Sequence, residues 1–81
     1  MRTRLVWVTW LNDLVVRRIL AELDRQGVTI GQLARSTGIR VSVLNRKLTG
    51  IDRLNVDDID SIAGVLGVPT AAFVPNEERH Q

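Results

Sequence analysis

The stretch from Thr29 to Gly50, TIGQLARSTGIRVSVLNRKLTG, constrains the fold of this 81-residue chain more than any other. Its spacing predicts two short helices joined by a tight turn. The turn is expected at Gly38, because glycine adopts the left-handed backbone that a sharp helix exit needs. The side chains expected to face inward are Leu33, Ala34, Ile39, Leu44 and Leu48. The second helix then presents polar and basic side chains outward.

This pattern predicts a helix-turn-helix, the motif whose second helix lies in the major groove of DNA. The segment LNVDDIDSIAGVLGVP at residues 54–69 predicts a further helix beyond it. With these residues the chain resembles the phage repressor and Cro-like helix-turn-helix family, the lambda-repressor-like domains, from about residue 12 to residue 74. The resemblance implies an all-α, five-helix domain.

Local signals place the other helix boundaries. The first helix is expected from Asn12 or Asp13 to Gln26, with an apolar stripe at helical spacing formed by Val16, Ile19, Leu20 and Leu23. Thr29 and Gln32 have the spacing of a capping box at the start of the second helix.

The same capping pattern returns before the fourth helix, where Asn55 and Asp58 form the predicted box. Its buried stripe is expected to consist of Ile59, Ile62, Ala63 and Leu66. Pro69 is expected to open a last short helical turn that runs through Phe73.

The N-terminal extension, residues 1–10, is rich in β-branched and aromatic side chains, which favour a strand. A single strand needs a partner, and the same strand of a second subunit would make a two-stranded ribbon on a two-fold axis. The dimer interface expected on this reasoning consists of Leu5, Trp7, Val8 and Trp10. The alternatives are that the segment extends the first helix or packs over the core as irregular chain.

Charge is polarised along the chain. Residues 1–54 carry a net charge of +6 and residues 55–81 carry −4, and no acidic residue lies between Arg25 and Ile51. A positive pole that coincides with the helix-turn-helix indicates a phosphate-binding face, although a solvated basic surface is the common alternative.

Base contacts are expected from the N-terminal end and outer face of the second motif helix. Arginine can form a bidentate contact with guanine, asparagine can do so with adenine, and valine can pack on a thymine methyl group. The candidate residues are Arg40, Val41, Ser42, Asn45 and Arg46. The resemblance favours Ser42 and Asn45 among them, while Arg40 departs from the family, which usually has Ser, Thr or Gly at that helix cap.

Phosphate contacts are expected around these positions, at Thr29, Gln32, Lys47, Thr49 and Arg53. Two of them have a purely structural alternative. Gln32 could serve only the capping box, and Lys47 could be a lysine whose aliphatic stem covers the core.

Composition argues against several other classes. The chain has no cysteine, which excludes disulfides and thiolate metal sites, and the only histidine is His80, in a polar tail at residues 76–81. We find no nucleophile–base motif and no phosphate-binding glycine loop, so an enzyme is the least expected class. No cofactor, small-molecule ligand or membrane partner is expected, and the protein is expected in the cytoplasm.

The resulting hypothesis is a helix-turn-helix domain at residues 11–75 that binds double-stranded DNA as a homodimer on a palindromic operator. The resemblance implies a transcriptional regulator such as a phage Cro-like or immunity repressor. Two alternatives remain: the antitoxin of a toxin–antitoxin pair, with the apolar N-terminus as the partner-binding segment, and a helical protein-interaction module.

Overall fold

A computed structural model describes the backbone of residues 2–74 and the side chains of residues 10–74. Within these residues the chain forms four α-helices and one 3₁₀ turn: α1 (Arg2–Gln26), α2 (Ile30–Thr37), α3 (Val41–Leu48), α4 (Val56–Leu66) and the 3₁₀ turn (Thr70–Ala72). The predicted all-α class is therefore confirmed. The fifth helix is not: after Pro69 the chain makes only the 3₁₀ turn. The tail at residues 76–81 lies outside the described residues.

Helix α1 begins ten or eleven residues earlier than the sequence pattern predicts, and the predicted N-terminal strand is not confirmed. Residues 2–10 continue the helix, as one of the alternatives had it. The physical reason is backbone pairing, because a lone strand leaves its N–H and C=O groups unpaired, whereas each residue added to an existing helix gains a hydrogen bond. The expected boundary between an extension and the domain at residue 10 falls inside this helix.

The expected dimer-interface side chains Leu5, Trp7 and Val8 lie outside the described side chains, which begin at Trp10. Trp10 is 45% exposed. It lines a shallow depression together with Leu48 and Thr49, at the end of α3.

One hydrophobic core joins all four helices and Phe73, which directly follows the 3₁₀ turn. Its buried members are Val15, Ile19, Leu23, Leu33, Ala34, Leu44, Leu48, Ile59, Ile62, Ala63, Leu66 and Phe73. The predicted stripes of α2, α3 and α4 are confirmed, and Val16 of α1 is also buried. Leu20 is an exception, since it is exposed at the edge of the α1 stripe, and the sequence pattern missed Val15 and Phe73.

Asn12, expected at the start of the first helix, lies instead within α1. Its Oδ1 accepts a hydrogen bond from the backbone N–H of Leu54, 3.2 Å away. The side chain thus ties α1 to the loop between α3 and α4.

No helix among the described residues has the length and apolarity that crossing a bilayer requires.

Candidate nucleic-acid interface

The N-terminus of α2 is fixed by a complete capping box. The backbone N–H of Gln32 donates to Thr29 Oγ1 over 3.0 Å, and the backbone N–H of Thr29 donates to Gln32 Oε1 over 2.9 Å. These two bonds use an acceptor on each side chain. The Thr29 hydroxyl proton and the Gln32 amide protons make no hydrogen bond to other described residues and can donate to an approaching anion.

The turn between α2 and α3 sets the angle of the second helix. Gly38 has a φ of 81°, and its N–H donates to Ala34 O. The Thr37 hydroxyl donates to Leu33 O over 2.9 Å and accepts from the N–H of Ile39 over 3.2 Å. These bonds satisfy backbone groups of the sharp turn that leads into α3.

Helix α3 buries one face and exposes the other. Leu44 and Leu48 are inside, at 0% and 2% exposure. All the predicted base-contacting residues are exposed: Arg40, Val41, Ser42, Asn45 and Arg46. Arg40 occupies the N-cap position and makes no side-chain capping bond. The family usually has Ser, Thr or Gly at this cap, and the arginine found here does not cap α3 with its side chain.

Arg46 is paired with an acidic residue, Asp52, that the sequence pattern did not indicate as part of the site. Its Nε lies 2.9 Å from Asp52 Oδ2, and its Nη2 donates to Asp52 Oδ1 over 3.5 Å. Both side chains are substantially exposed, at 56% and 43%. The hydrogen bond from Arg46 lowers the pKa of Asp52 below its usual value and raises the pKa of Arg46, so the pair is ionised at neutral pH.

Lys47 is also paired, but on the inner side of α3. Its Nζ lies 2.5 Å from Asp58 Oδ2, with side-chain exposures of 16% and 12%. Asp58 belongs to the predicted capping box of α4: its N–H donates to Asn55 Oδ1 over 2.8 Å, and its Oδ2 accepts from the N–H of Asn55. A phosphate would have to compete with this carboxylate for Lys47. The alternative of a lysine that lies along the core fits its position better.

The remaining predicted phosphate contacts differ in the donors they offer. The Thr49 hydroxyl donates to Asn45 O over 2.9 Å and would have to exchange that bond for a phosphate oxygen. Arg53 is exposed and, like Arg40, forms no ion pair with residues in the described part of the chain. Arg53 is therefore a better phosphate donor than Thr49.

Asp52 could have been suspected from the sequence, since it is the first acid after the basic stretch and follows Thr49-Gly50, a pair typical of a helix end.

Metal binding has no support within the described residues, where no three His, Cys, Asp or Glu side chains cluster closely enough to hold an ion.

Two short helices joined by a tight turn, the second with an exposed outer face, form a helix-turn-helix motif. Residues 19–73 match the profile of a family described as helix-turn-helix. The chain therefore belongs to this family of DNA-binding transcription regulators, and the predicted resemblance to phage repressor and Cro-like domains is confirmed. Comparison with curated proteins found no match, and neither did comparison with solved structures.

Proposed function

We propose that this protein is a sequence-specific transcription regulator, of the phage Cro-like or immunity-repressor kind, that binds a palindromic operator as a homodimer and occludes a promoter. The observation that carries the proposal is the outer face of α3. Its Ser42 and Asn45 side chains are exposed, while Leu44 between them is fully buried. A helix anchored in this way can enter the major groove without unfolding any part of the core.

The chemistry of that face fits base recognition. Asn45 can bind adenine through its amide, and Arg46 can bind guanine. Val41, which is 52% exposed, supplies an apolar surface for a thymine methyl group. Ser42 and Arg40 complete the set of proposed base-contacting residues.

Phosphate contacts on both sides of the groove would fix the orientation of α3. At the start of α2, Thr29 and Gln32 offer side-chain protons beside the backbone N–H groups of the helix terminus. Arg53 supplies a cation in the loop after α3. Thr49 and Lys47 would contribute less, because their donors already bond Asn45 O and Asp58.

Dimerisation is proposed because one α3 covers too few base pairs for useful specificity. Two copies related by a two-fold axis would place their α3 helices on half-sites about one helical turn apart. The interface is proposed at the N-terminal part of α1, which carries Leu5, Trp7, Val8 and Trp10 as helix rather than as strand. The proposed activity on DNA belongs inside a cell.

Selection of bound fragments from randomised DNA duplexes by the purified protein tests the proposal. We expect enrichment of an inverted repeat, with binding that weakens steeply as salt concentration rises. Absence of any enriched sequence, together with salt-insensitive or undetectable binding, would favour a protein-interaction module. Capture of DNA only in complex with a second protein would favour the antitoxin alternative.

A further inference from the structure

We propose that Asp52 is a positioning residue that makes Arg46 selective for guanine over backbone phosphate; the inference rests on the DNA-binding function proposed above. Three observations carry it: the edge of the guanidinium that Asp52 occupies, the way the backbone holds Asp52, and the charge of the resulting pair.

The first observation is the geometry of the pair. Asp52 accepts from Nε and Nη2 of Arg46, at 2.9 and 3.5 Å, and so occupies the side edge of the guanidinium. A guanidinium has five N–H donors. The end edge, formed by Nη1 and Nη2, keeps protons that lie parallel and can bind a second bidentate acceptor. Guanine O6 and N7 are such an acceptor in the major groove.

The second observation is that Asp52 is itself held by the residue it binds. The chain reverses at Gly50, which has a φ of 87°. The N–H groups of Ile51 and Asp52 then both donate to the carbonyl oxygen of Arg46, over 2.9 and 3.2 Å. Backbone and side chain therefore close two links between the same pair of residues, and the carboxylate has a fixed place beside α3.

The third observation is electrostatic. A guanidinium next to a carboxylate carries little net charge towards a distant phosphate, and the carboxylate repels phosphate oxygens directly. The acceptors of guanine are uncharged, so they meet the end edge of Arg46 without that repulsion. The pair thus weakens the contact of Arg46 with phosphate, which carries no sequence information, and preserves its contact with guanine, which does.

Exposed ion pairs contribute little to folding stability, so removing Asp52 is not expected to unfold the protein. A change in guanine preference without a loss of stability would therefore separate a positioning role of Asp52 from a merely structural one. Asp52→Asn removes the charge, and Asp24→Asn is the matched control, because Asp24 is an exposed acid on α1 whose carboxylate has no hydrogen bond or ion pair with the described residues. Both substitutions change the net charge equally.

The experiment compares sequence selection and salt dependence for wild type, Asp52→Asn and Asp24→Asn. For Asp52→Asn we expect the preference for guanine at one position of each half-site to fall by about tenfold. The slope of log affinity on non-specific DNA against log salt should steepen by about 0.9 for each Arg46 released to a phosphate. Asp24→Asn should retain the wild-type guanine preference.

Arg46→Gln gives a second reading. It should lose the same guanine preference, and adding Asp52→Asn to Arg46→Gln should change the preference no further. An unchanged guanine preference in Asp52→Asn would overturn the inference while leaving the proposed function intact. Wild-type protein that selects no sequence at all would instead contradict the proposed function, and the inference with it.

Discussion

Lys47 Nζ and Asp58 Oδ2 lie 2.5 Å apart, and this contact joins the exposed helix α3 to the N-terminus of α4. The same carboxylate oxygen accepts from the backbone N–H of Asn55. One side chain therefore caps α4 and holds α3 in place. The orientation of the proposed DNA-binding face of α3 therefore depends in part on Lys47, which could reach DNA only by leaving Asp58.

Replacement of Asp58 should be costly for this reason. Asp58→Ala removes half of a capping box and leaves Lys47 without its partner in a mostly buried position, so we expect the free energy of unfolding to fall by about 2–4 kcal/mol. Urea denaturation followed by circular dichroism measures it. Asp57→Ala is the matched control, since Asp57 is an exposed acid in the same helical turn. Equal losses for the two variants would show that the Lys47 contact contributes nothing.

Thr29 should affect both stability and DNA binding. Thr29→Ala removes the acceptor for the Gln32 N–H, and loss of such a cap typically costs about 1 kcal/mol. Thr29→Ser keeps the hydroxyl group and should restore both the stability and the DNA affinity. If Thr29→Ala lowers the unfolding free energy but leaves DNA affinity unchanged, the hydroxyl caps α2 and does not contact phosphate.

Asn45→Ala should relax the base preference at a single operator position. Loss of a bidentate contact with adenine is expected to reduce discrimination there by about 1–3 kcal/mol, while the fold is unchanged because Asn45 is exposed. Sequence selection with the variant measures it, and Ser61→Ala, at an exposed position on α4, is the control. An unchanged preference at every position would show that Asn45 does not contact bases.

Arg53→Gln should weaken binding to all sequences alike. If Arg53 neutralises one phosphate, the slope of log affinity against log salt should become shallower by about 0.9 per protomer. Binding titrations at several salt concentrations give that slope. Arg18→Gln is the control, at an exposed position on α1. A slope equal to that of wild type would place Arg53 away from the DNA backbone.

Trp10→Arg should weaken self-association if α1 forms the dimer interface. A charge placed at a 45% exposed aromatic position beside that interface would lose its hydration when two copies meet. Sedimentation equilibrium gives the dimer dissociation constant, and Trp7→Arg is a second variant within the proposed interface. Leu20→Arg is the control at an exposed apolar position further along α1. Trp variants that dimerise like wild type would place the interface elsewhere.

The parts of the fold that the sequence predicted correctly are those that depend on short spacings. The Thr29–Gln32 and Asn55–Asp58 boxes each join residues three apart, so their residue types alone predict the local geometry. The apolar stripes of α2, α3 and α4 follow the helical repeat for the same reason. Exposure of Ser42 and Asn45 then follows from the burial of Leu44.

The parts that the sequence did not predict depend on tertiary context. Residues 2–10 have strand-favouring side chains but are helical, because strand propensity has no effect without a neighbouring strand to pair with. The Lys47–Asp58 and Arg46–Asp52 pairs join residues eleven and six apart across a turn. No periodicity connects such residues, so the basic stretch appeared more available to DNA than the structure makes it.

The most direct test of the DNA-binding face is a titration of isotope-labelled protein with an enriched operator duplex, followed by the amide chemical shifts. The largest changes should fall at Ser42, Asn45 and Arg46 on α3 and at Thr29 and Gln32 at the start of α2. Shift changes confined to α1 and α4, with the α3 amide shifts unchanged, would contradict the proposal that the outer face of α3 binds DNA.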